Sequence, residues 1–331
     1  MRVTTQRIVS GVVLLLLGAV SGCAAPSLLI TPVSGRRDLV ESQIARDAAF
    51  TFNKIAVIDV SGVILNSPKP QLLGEGEHPV SYLLEQLDKA RCDSSVKAVL
   101  LRINSPGGSD VASELMYDEI QYYRACTGKP VVAVMMDVAA SGGYYIACAC
   151  DEIIAQPSTV TGSIGVIMQM FDVTGTMDKI GLRTDAITSG PRKDSGSPLR
   201  PMRPEERAHF QTMVNDMYDR FVQVVVSGRP NLNEETVRRL ADGRVYTAQQ
   251  ALDAGLIDRT AGMRGAIERT KELAGISRAR VVTYHRATDY KPNYYAAAPR
   301  GPAGDVNLLK LDADSFFDRT PRFMYLWSPG E

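Results

Sequence analysis

Short apolar runs that alternate with helical patterns between residues 54 and 155 constrain the fold of this chain most strongly. The runs are KIAVIDVSG from Lys54, VKAVLLRI (96–103), PVVAVMM (130–136) and EIIA (152–155). Continuous apolar runs of this length are typical of strands covered on both faces. Two stretches between them have helical spacing, 79–92 and 109–126, the second with Val111, Leu115 and Ile120 near one stripe. Strands that alternate with helices predict an α/β fold with a largely parallel sheet.

Residues 1–22 have the pattern of a secretory signal peptide. Arg2 and Arg7 precede the apolar run IVSGVVLLLLGAV, which ends at SGCAAP. This run is shorter than the roughly 20 apolar residues that a permanent membrane span needs. The small residues before Cys23, VSGC, resemble the bacterial lipobox, in which the cysteine is lipidated and becomes the new N-terminus. We therefore expect an exported protein of the bacterial cell envelope, anchored by a lipid; the alternative is an ordinary signal peptide, with Cys23 incidental.

The rest of the chain divides into three predicted parts. Residues 23–50 mix Pro, Gly, Ser and charge without a period, which predicts a tether. Residues 51–285 form one domain, with a long helix at 204–226 whose apolar stripe either covers the sheet or meets another subunit. Residues 286–331 lose periodicity and gain Pro, Gly, Tyr and Asn, which predicts a C-terminal tail.

Composition argues against a nucleic-acid partner. Lys plus Arg and Asp plus Glu both number 37, so the chain lacks the basic footprint of nucleic-acid binders. Four cysteines follow Cys23, at 92, 126, 148 and 150, and none has the spacing of a metal site. Cys148 and Cys150 lie in an apolar stretch, so we expect them to behave as small buried hydrophobic residues.

Two segments could carry chemistry at the ends of predicted strands. Ser141 in VAASGGYYIA has small flanking residues, as in a nucleophile elbow, although Ala stands where the G-x-S-x-G motif has its first glycine. A serine there also serves as a simple helix N-cap. The turn Pro106-Gly107-Gly108 lets bare backbone N–H groups point at a ligand such as a carbonyl oxyanion. Pro-Gly-Gly is equally an ordinary turn.

A serine nucleophile requires a base within hydrogen-bond reach. The three histidines, His78, His209 and His285, all lie outside Gly/Ser/Asp-rich turns. The loop TSGPRKDSGSP (188–198) follows a predicted strand, RTDAI (183–187), and carries Lys193. Lysine serves as a base for serine where burial and nearby positive charge keep it neutral. An exposed loop lysine, in contrast, is ordinarily not catalytic.

Taken together, four segments closely resemble the signal peptide peptidase A family of membrane-associated serine endopeptidases. They are NSPGG, ASGGYYIA, TGSIGV (161–166) and SGPRKDSGSP, in this order. GRVYTAQQALDAGLID (243–258) resembles the segment that ends the core of this family and of its crotonase/Clp-protease-like relatives. The resemblance covers residues 54–285.

The resemblance implies a Clp-protease/crotonase-like spiral of ββα units in a single catalytic domain. It also implies a role for each matching residue: Ser141 as nucleophile, Lys193 as general base, Gly108 and Gly142 as oxyanion donors, and Ser163 as the serine that orients the lysine. The chain is similar to the short, single-domain form, which assembles into rings whose neighbours complete the sites. No metal or organic cofactor is implied.

We therefore expect an envelope-anchored serine endopeptidase that cleaves hydrophobic peptides, such as remnant signal peptides. Two alternatives remain open. A crotonase-like acyl-CoA enzyme shares the fold and the backbone oxyanion hole. A catalytically silent oligomeric scaffold of the envelope would use the ring for binding partners.

Overall fold

The computed structural model describes residues 38–46, 51–68, 76–286, 293 and 323–327. The strands in these ranges are β1 Leu39–Arg46, β2 Lys54–Ser61, β3 Val96–Ser105, β4 Gly107–Ser109, β5 Val131–Ala140, β6 Glu152–Ala155, β7 Val160–Gly162, β8 Ile167–Met168, β9 Val245–Thr247, β10 Arg259–Thr260, β11 Arg280–Arg286 and β12 Phe323–Leu326. The helices are α1 Pro79–Cys92, α2 Asp110–Thr127, α3 Gly142–Ala147, α4 Thr174–Ile180, α5 Pro204–Gly228, α6 Glu234–Leu240, α7 Ala248–Asp253 and α8 Met263–Leu273. The predicted signal peptide and Cys23 lie outside the described residues.

The main sheet is mostly parallel, which confirms the predicted α/β fold class. Its central order is β1-β11-β2-β3-β5-β6-β10, and β7 and β9 extend from the end of β5. From β11 to β10 in this order, each strand runs parallel to the next one. The edge strand β1 pairs antiparallel with β11. A smaller sheet has the order β4-β12-β8.

Helices cover both faces of the main sheet. Alternate residues of β2 divide between the two faces, so Ala56 and Ile58 pack towards α1 and α2 while Ile55 and Val57 pack towards α8. This burial on both sides explains why the predicted strands are continuous apolar runs and do not alternate with polar residues. None of the helices in the described ranges has the length and apolar character needed to span a membrane.

Three helices lie where the sequence predicted them, but the residues that they bury differ in part from the prediction. Helix α1 spans 79–92 as predicted, and α2 and α5 differ by one or two residues at an end. In α2, Val111 and Leu115 are exposed, and the buried face is formed by Ala112, Ser113, Met116, Ile120 and Tyr123. The predicted α2 stripe is therefore wrong apart from Ile120.

The fully buried apolar residues of helix α5 lie in its C-terminal third: Phe221, Val222 and Val225. In the preceding part, from Pro204 to Arg220, only Glu206 is fully buried. The predicted stripe thus serves as core at one end of the helix, and at the other end its residues are half-buried: Phe210, Met213, Val214 and Met217.

Two strands come from segments that the sequence assigned to a tether and a tail. Strand β1 lies within the predicted tether 23–50 and pairs with β11 from Leu39 to Arg46. Strand β12 lies within the predicted tail 286–331 and pairs with β4 and β8. Backbone pairing with distant strands places these two strands in the fold, and neither one carries a periodic signal in the sequence.

Candidate active site

The candidate catalytic residues other than Lys193 lie where three neighbouring parallel strands end. Strand β3 ends at Ser105 just before the Gly107-Gly108 turn, β5 ends just before Ser141, and β7 ends just before Ser163. Because β3 pairs with β5 and β5 pairs with β7, all in parallel, the three ends meet at one edge. Ligand sites of open α/β sheets lie outside this carboxyl edge.

Ser141 is buried and has a strained backbone. It is 1% exposed, and its dihedral angles are φ 53° and ψ −116°, a region that side chains rarely adopt. Its N–H donates to the Gly162 carbonyl at 2.7 Å, which ties the turn to the end of β7. Although Ser141 precedes α3, its hydroxyl makes no capping hydrogen bond, so the N-cap explanation of this serine fails. The strain is of the kind found at nucleophile elbows.

The Gly107-Gly108 turn faces the start of α3. A Cβ atom on Gly107 would overlap the Tyr325 carbonyl oxygen and lie 2.7 Å from Gly142 N. Gly107 has φ 97°, so glycine is required here both by conformation and by space. The buried Ser105 hydroxyl fixes the turn, since it donates to the Gly62 carbonyl at 2.7 Å and accepts from Gly107 N–H at 3.1 Å.

Gly108 lies between Ile64, which forms an isolated bridge with it, and strand β12. On one side, Ile64 N–H donates to Gly107 O and Ser109 N–H donates to Ile64 O, both at 2.8 Å. On the other side, Tyr325 of β12 is the register partner of Gly108. Because Ile64 pairs with Gly107 O and Ser109 N–H, the Gly108 N–H takes no part in these hydrogen bonds and faces β12 instead.

Ser163 shares the backbone strain of Ser141. Its φ is 49° and it is 7% exposed, and its N–H donates to the Arg244 carbonyl at 2.8 Å. Within the described ranges, Ser141 and Ser163 are the two non-glycine residues with positive φ. Strained residues of this kind cluster at functional sites, where the surrounding structure holds them in place.

Lys193 is not brought to Ser141 within one chain. It lies in an exposed turn, and among the described residues its ammonium makes no hydrogen bond or ion pair. Its backbone N–H donates to the Gly190 carbonyl at 3.1 Å. The predicted strand at 183–187 is wrong, because these residues form exposed coil and Ile187 is fully exposed. An exposed segment has no neighbouring strand with which to pair.

Next to Lys193, an ion cluster that the sequence analysis missed holds the loop. The Arg200 guanidinium donates to both carboxylate oxygens of Asp194 and also to Glu206, at 2.5 to 3.0 Å. Arg200 holds the pKa of the Asp194 carboxyl below its usual value, and it lowers that of Glu206 to about 2. In the sequence, the only signal of this cluster is that Arg200 has an acidic residue six positions before it and another six positions after it. It fixes the residue that directly follows Lys193.

Strand β12 crosses the mouth of the site. It runs antiparallel to β4, with Leu326 opposite Gly107 and Tyr325 opposite Gly108. Its other edge pairs with β8, where Met324 lies opposite Ile167. The segment FMYLW that contains β12 carries no turn, charge or period by which sequence could have assigned it to this site.

Comparisons with known proteins match this arrangement to a peptidase family. The model of Peptidase family S49 matches residues 124–277, and the model of Clp protease matches residues 57–173. The chain is 35% identical over 254 residues to the "Putative signal peptide peptidase SppA" of Enterococcus faecium, which covers 77% of this chain and 73% of that protein. The chain belongs to peptidase family S49. Together with its fold, this makes it a serine peptidase with a Clp-protease-like architecture, as predicted.

Longer S49 relatives match over part of their length. Protease 4 of Haemophilus influenzae is 36% identical over 221 residues, which are 67% of this chain and 35% of that protein. The chloroplastic serine protease SPPA of Arabidopsis thaliana is 35% identical over 238 residues, 70% of this chain and 34% of that protein. The S49 chain thus spans about a third of the length of these two relatives.

Proposed function

We propose that this S49 peptidase is a membrane-anchored endopeptidase in which Ser141 attacks the peptide carbonyl and Lys193 of a neighbouring copy is the general base. One observation carries the proposal. The strained, buried Ser141 lies beside the Gly107-Gly108 turn, and a strand in the extended conformation crosses that turn. An extended strand paired along one edge is the form in which peptides commonly bind to sheets.

Backbone amides would stabilise the oxyanion. The N–H of Gly142 directly follows the nucleophile, and Gly108 presents its N–H from the facing turn. Preorganised donors of this kind contribute about 3–4 kcal/mol each to stabilisation of the transition state. Both are main-chain groups held by strand ends, so they need no rearrangement when the charge develops.

The base has to come from another copy if it is Lys193. Lysine accepts a proton only in its neutral form, and burial favours that form. Lys193 is exposed in a single chain, so a neighbour must cover it. The surrounding segment supports a contact between copies, because it exposes several large apolar side chains: Ile167, Phe171, Ile180, Leu182, Ile187 and Leu199. Ser163, at the next strand end from Ser141, would then orient the neutral amine of the incoming lysine.

The N-terminal sequence supports the proposed membrane anchor and the proposed class of substrate. A lipid on Cys23 would hold the domain at the membrane surface in the cell envelope. Apolar peptides that remain in the membrane after export, such as cleaved signal peptides, are the substrates within reach of such an enzyme. The name of the Enterococcus faecium relative agrees with this class.

Subunit complementation tests the shared site directly. Ser141→Ala and Lys193→Arg subunits are each expected to be inactive, with losses of about 100-fold or more, since arginine does not deprotonate. When the two are coexpressed, a Ser141 from one copy meets a Lys193 from another. Random mixing in a head-to-tail ring should restore about a quarter of the sites. Cleavage of an internally quenched apolar peptide is the readout.

Two controls make the result decisive. Lys179→Arg is the same substitution at another exposed lysine of the same segment and should leave activity unchanged. Light scattering must show that the mixed assemblies have the size of the parent. If Lys193→Arg alone keeps more than about a tenth of parental activity, Lys193 is not the base. If both single variants are inactive and mixing restores nothing, the base does not act between copies.

The anchor is tested separately. Cys23→Ser should lose processing at the signal and release the domain from the membrane fraction, because the thiol carries the lipid. Fractionation of cells that express either form measures this. A variant that is processed normally and stays membrane-bound would refute lipidation at Cys23.

A further inference from the structure

Glu206 is a buried carboxylate that the proposed reaction does not use. Its side chain is 1% exposed, although its immediate neighbours in α5 are exposed. It accepts from the Arg200 guanidinium through both oxygens, from the Arg203 backbone N–H at 3.1 Å and from the Ser195 hydroxyl at 3.2 Å. Burial of a charge is costly unless the charge is paired and hydrogen-bonded. The start of α5 therefore holds a fully paired carboxylate in a part of the helix that otherwise buries little.

Two arginines tie the loop to the start of α5 on both sides of Lys193. The Arg200 guanidinium donates to the Asp194 carboxylate at 2.6 and 2.9 Å and to the Asp194 carbonyl at 3.1 Å. Arg203, at the N-cap position of α5, donates from its side chain to the Pro191 carbonyl at 2.9 Å. The backbone is therefore held two residues before Lys193 and one residue after it, while Lys193 itself is exposed.

Arg200 also pairs with the carboxylate that is nearest to Lys193 in the sequence. Asp194 directly follows Lys193, and a carboxylate close to a lysine favours the charged ammonium, which cannot accept a proton. Through its two hydrogen bonds, Arg200 holds the pKa of the Asp194 carboxyl below its usual value. Because the same guanidinium binds Glu206, both carboxylates of the cluster are paired. The other charged residues of the loop and of the first turn of α5 are Arg192, Arg203 and Glu205.

We propose that Arg200 is a positioning residue for the general base: it holds the Lys193 turn in place and keeps the Asp194 carboxylate from pairing with the lysine. The inference rests on the proposed function, in which Lys193 acts on Ser141 of a neighbouring copy. A base that enters the site of another subunit acts faster from a turn that is already ordered, because its orientation is fixed before the reaction. Arg200 itself takes no part in making or breaking bonds.

Two variants separate the two roles of Arg200. In Arg200→Gln with Glu206→Gln, the loop loses its tie and Asp194 keeps its charge, and no unpaired charge stays buried. Adding Asp194→Asn removes the freed carboxylate as well. We expect kcat for an internally quenched apolar peptide to fall about 10–100-fold in both variants, with KM within about twofold of the parent. KM is spared because the strand that crosses the site pairs with β4 and β8 and not with this loop.

The pH profile distinguishes positioning of the base from a merely structural role. The acid limb of kcat/KM reports deprotonation of the base. In Arg200→Gln with Glu206→Gln, this limb should move to higher pH by about 1 pH unit, because the freed Asp194 carboxylate favours the charged ammonium. Adding Asp194→Asn should return the limb towards its parental pH while kcat stays low. Arg207→Gln, at an exposed arginine next to Glu206, is the control and should change neither kcat nor the limb.

Proteolysis follows the loop without catalysis. Trypsin cuts after arginine and lysine, so cleavage after Arg192 and Lys193 reports how readily the loop opens. In a Ser141→Ala background, this cleavage should be about tenfold faster or more when Arg200→Gln and Glu206→Gln are added, and Arg207→Gln should leave it unchanged. Arg203→Gln removes the tie to Pro191 at a largely exposed side chain, so it frees the loop without a buried charge and should also lower kcat.

The outcomes separate this inference from the proposed function. If Lys193→Arg is inactive but freeing the loop changes neither kcat nor the acid limb, Lys193 remains the base and the positioning role of Arg200 is refuted. If kcat falls while the limb stays at its parental pH in both variants, Arg200 acts on structure alone and the proposal is overturned. If Lys193→Arg keeps more than about a tenth of parental activity, the proposed function fails and this inference fails with it.

Discussion

Replacing Ser141 by glycine and by alanine should separate catalysis from backbone strain. Both variants lack the hydroxyl and should be inactive. At φ 53° and ψ −116°, alanine keeps the strain of about 1–3 kcal/mol that a side chain suffers there, whereas glycine relieves it. Glycine in turn destabilises the folded state by about 0.5–1 kcal/mol, because its unfolded chain has greater conformational freedom. At the midpoints of these two ranges, Ser141→Gly should therefore be more stable than Ser141→Ala by about 1 kcal/mol.

Thermal unfolding measures this difference. A domain of 150–250 residues shifts its melting temperature by about 2–4 °C per kcal/mol, so Ser141→Gly should melt about 2–4 °C above Ser141→Ala. Protein concentration must be matched, since assembly also stabilises. Ala208→Gly, an exposed position within α5, is the control for the same chemical change in a relaxed helix. It should melt lower than its parent, because glycine costs about 1 kcal/mol there.

Whether Ser141→Gly melts above or below Ser141→Ala decides whether the backbone at Ser141 is strained. If Ser141→Gly melts at or below Ser141→Ala while Ala208→Gly behaves as expected, the backbone at Ser141 is relaxed. The strained turn would then offer no explanation for how the serine is held.

Three further predictions concern the loop, the turn and the thiols. Glu206 has its pKa lowered to about 2 by Arg200, so it stabilises the fold above pH 4.5 and loses this contribution as the pH falls towards 2. The urea midpoint of Glu206→Gln should accordingly lie below that of the parent at pH 7 and converge with it near pH 2; a pH-independent difference would contradict the ion cluster. Gly107→Ala should abolish cleavage at unchanged protein level, since its Cβ would overlap the strand that crosses the site and crowd Gly142 N, and activity above about a tenth of the parent would refute this geometry. Under native conditions a thiol reagent should label Cys92 and Cys126, the exposed cysteines of the described residues, and not Cys148 and Cys150, which are buried, with peptide mapping as the readout. Burial raises the pKa of Cys148 to about 12, which adds to its inertness, and labelling of either buried thiol would show that the core opens.

The sheet and its helices were predictable because burial on both faces leaves a strong pattern. Strands β2, β3, β5 and β6 and helix α1 lie where their apolar runs and spacing placed them. Strand β1 was missed because an edge strand has a weaker apolar pattern, and its pairing with β11 depends on residues far along the chain. The short run at 183–187 resembled a strand, but it has no neighbour with which to pair.

The sequence predicted the turns of the candidate site, but not its contacts between residues that lie far apart in the chain. Glycine pairs beside Ser141 and after Pro106 marked two tight turns, and the structure brings these turns together. The occupancy of the turn by Tyr325 arises from pairing across more than 200 residues, which local sequence does not encode. Lys193 lies in an exposed turn of the single chain, and no local pattern in the sequence relates that turn to Ser141.

In the main sheet, β11 lies between β1 and β2, although it is the last of the three to be synthesised. Until residues 280–286 have emerged, β2 has an open edge and β1 lacks the strand with which it pairs. Open apolar edges recruit strands from other chains, and pairings between distant segments form slowly. A chain that stops before Arg280 should therefore aggregate. During synthesis and export, the nascent chain has to be kept from other nascent chains until its penultimate described strand is available to close the sheet.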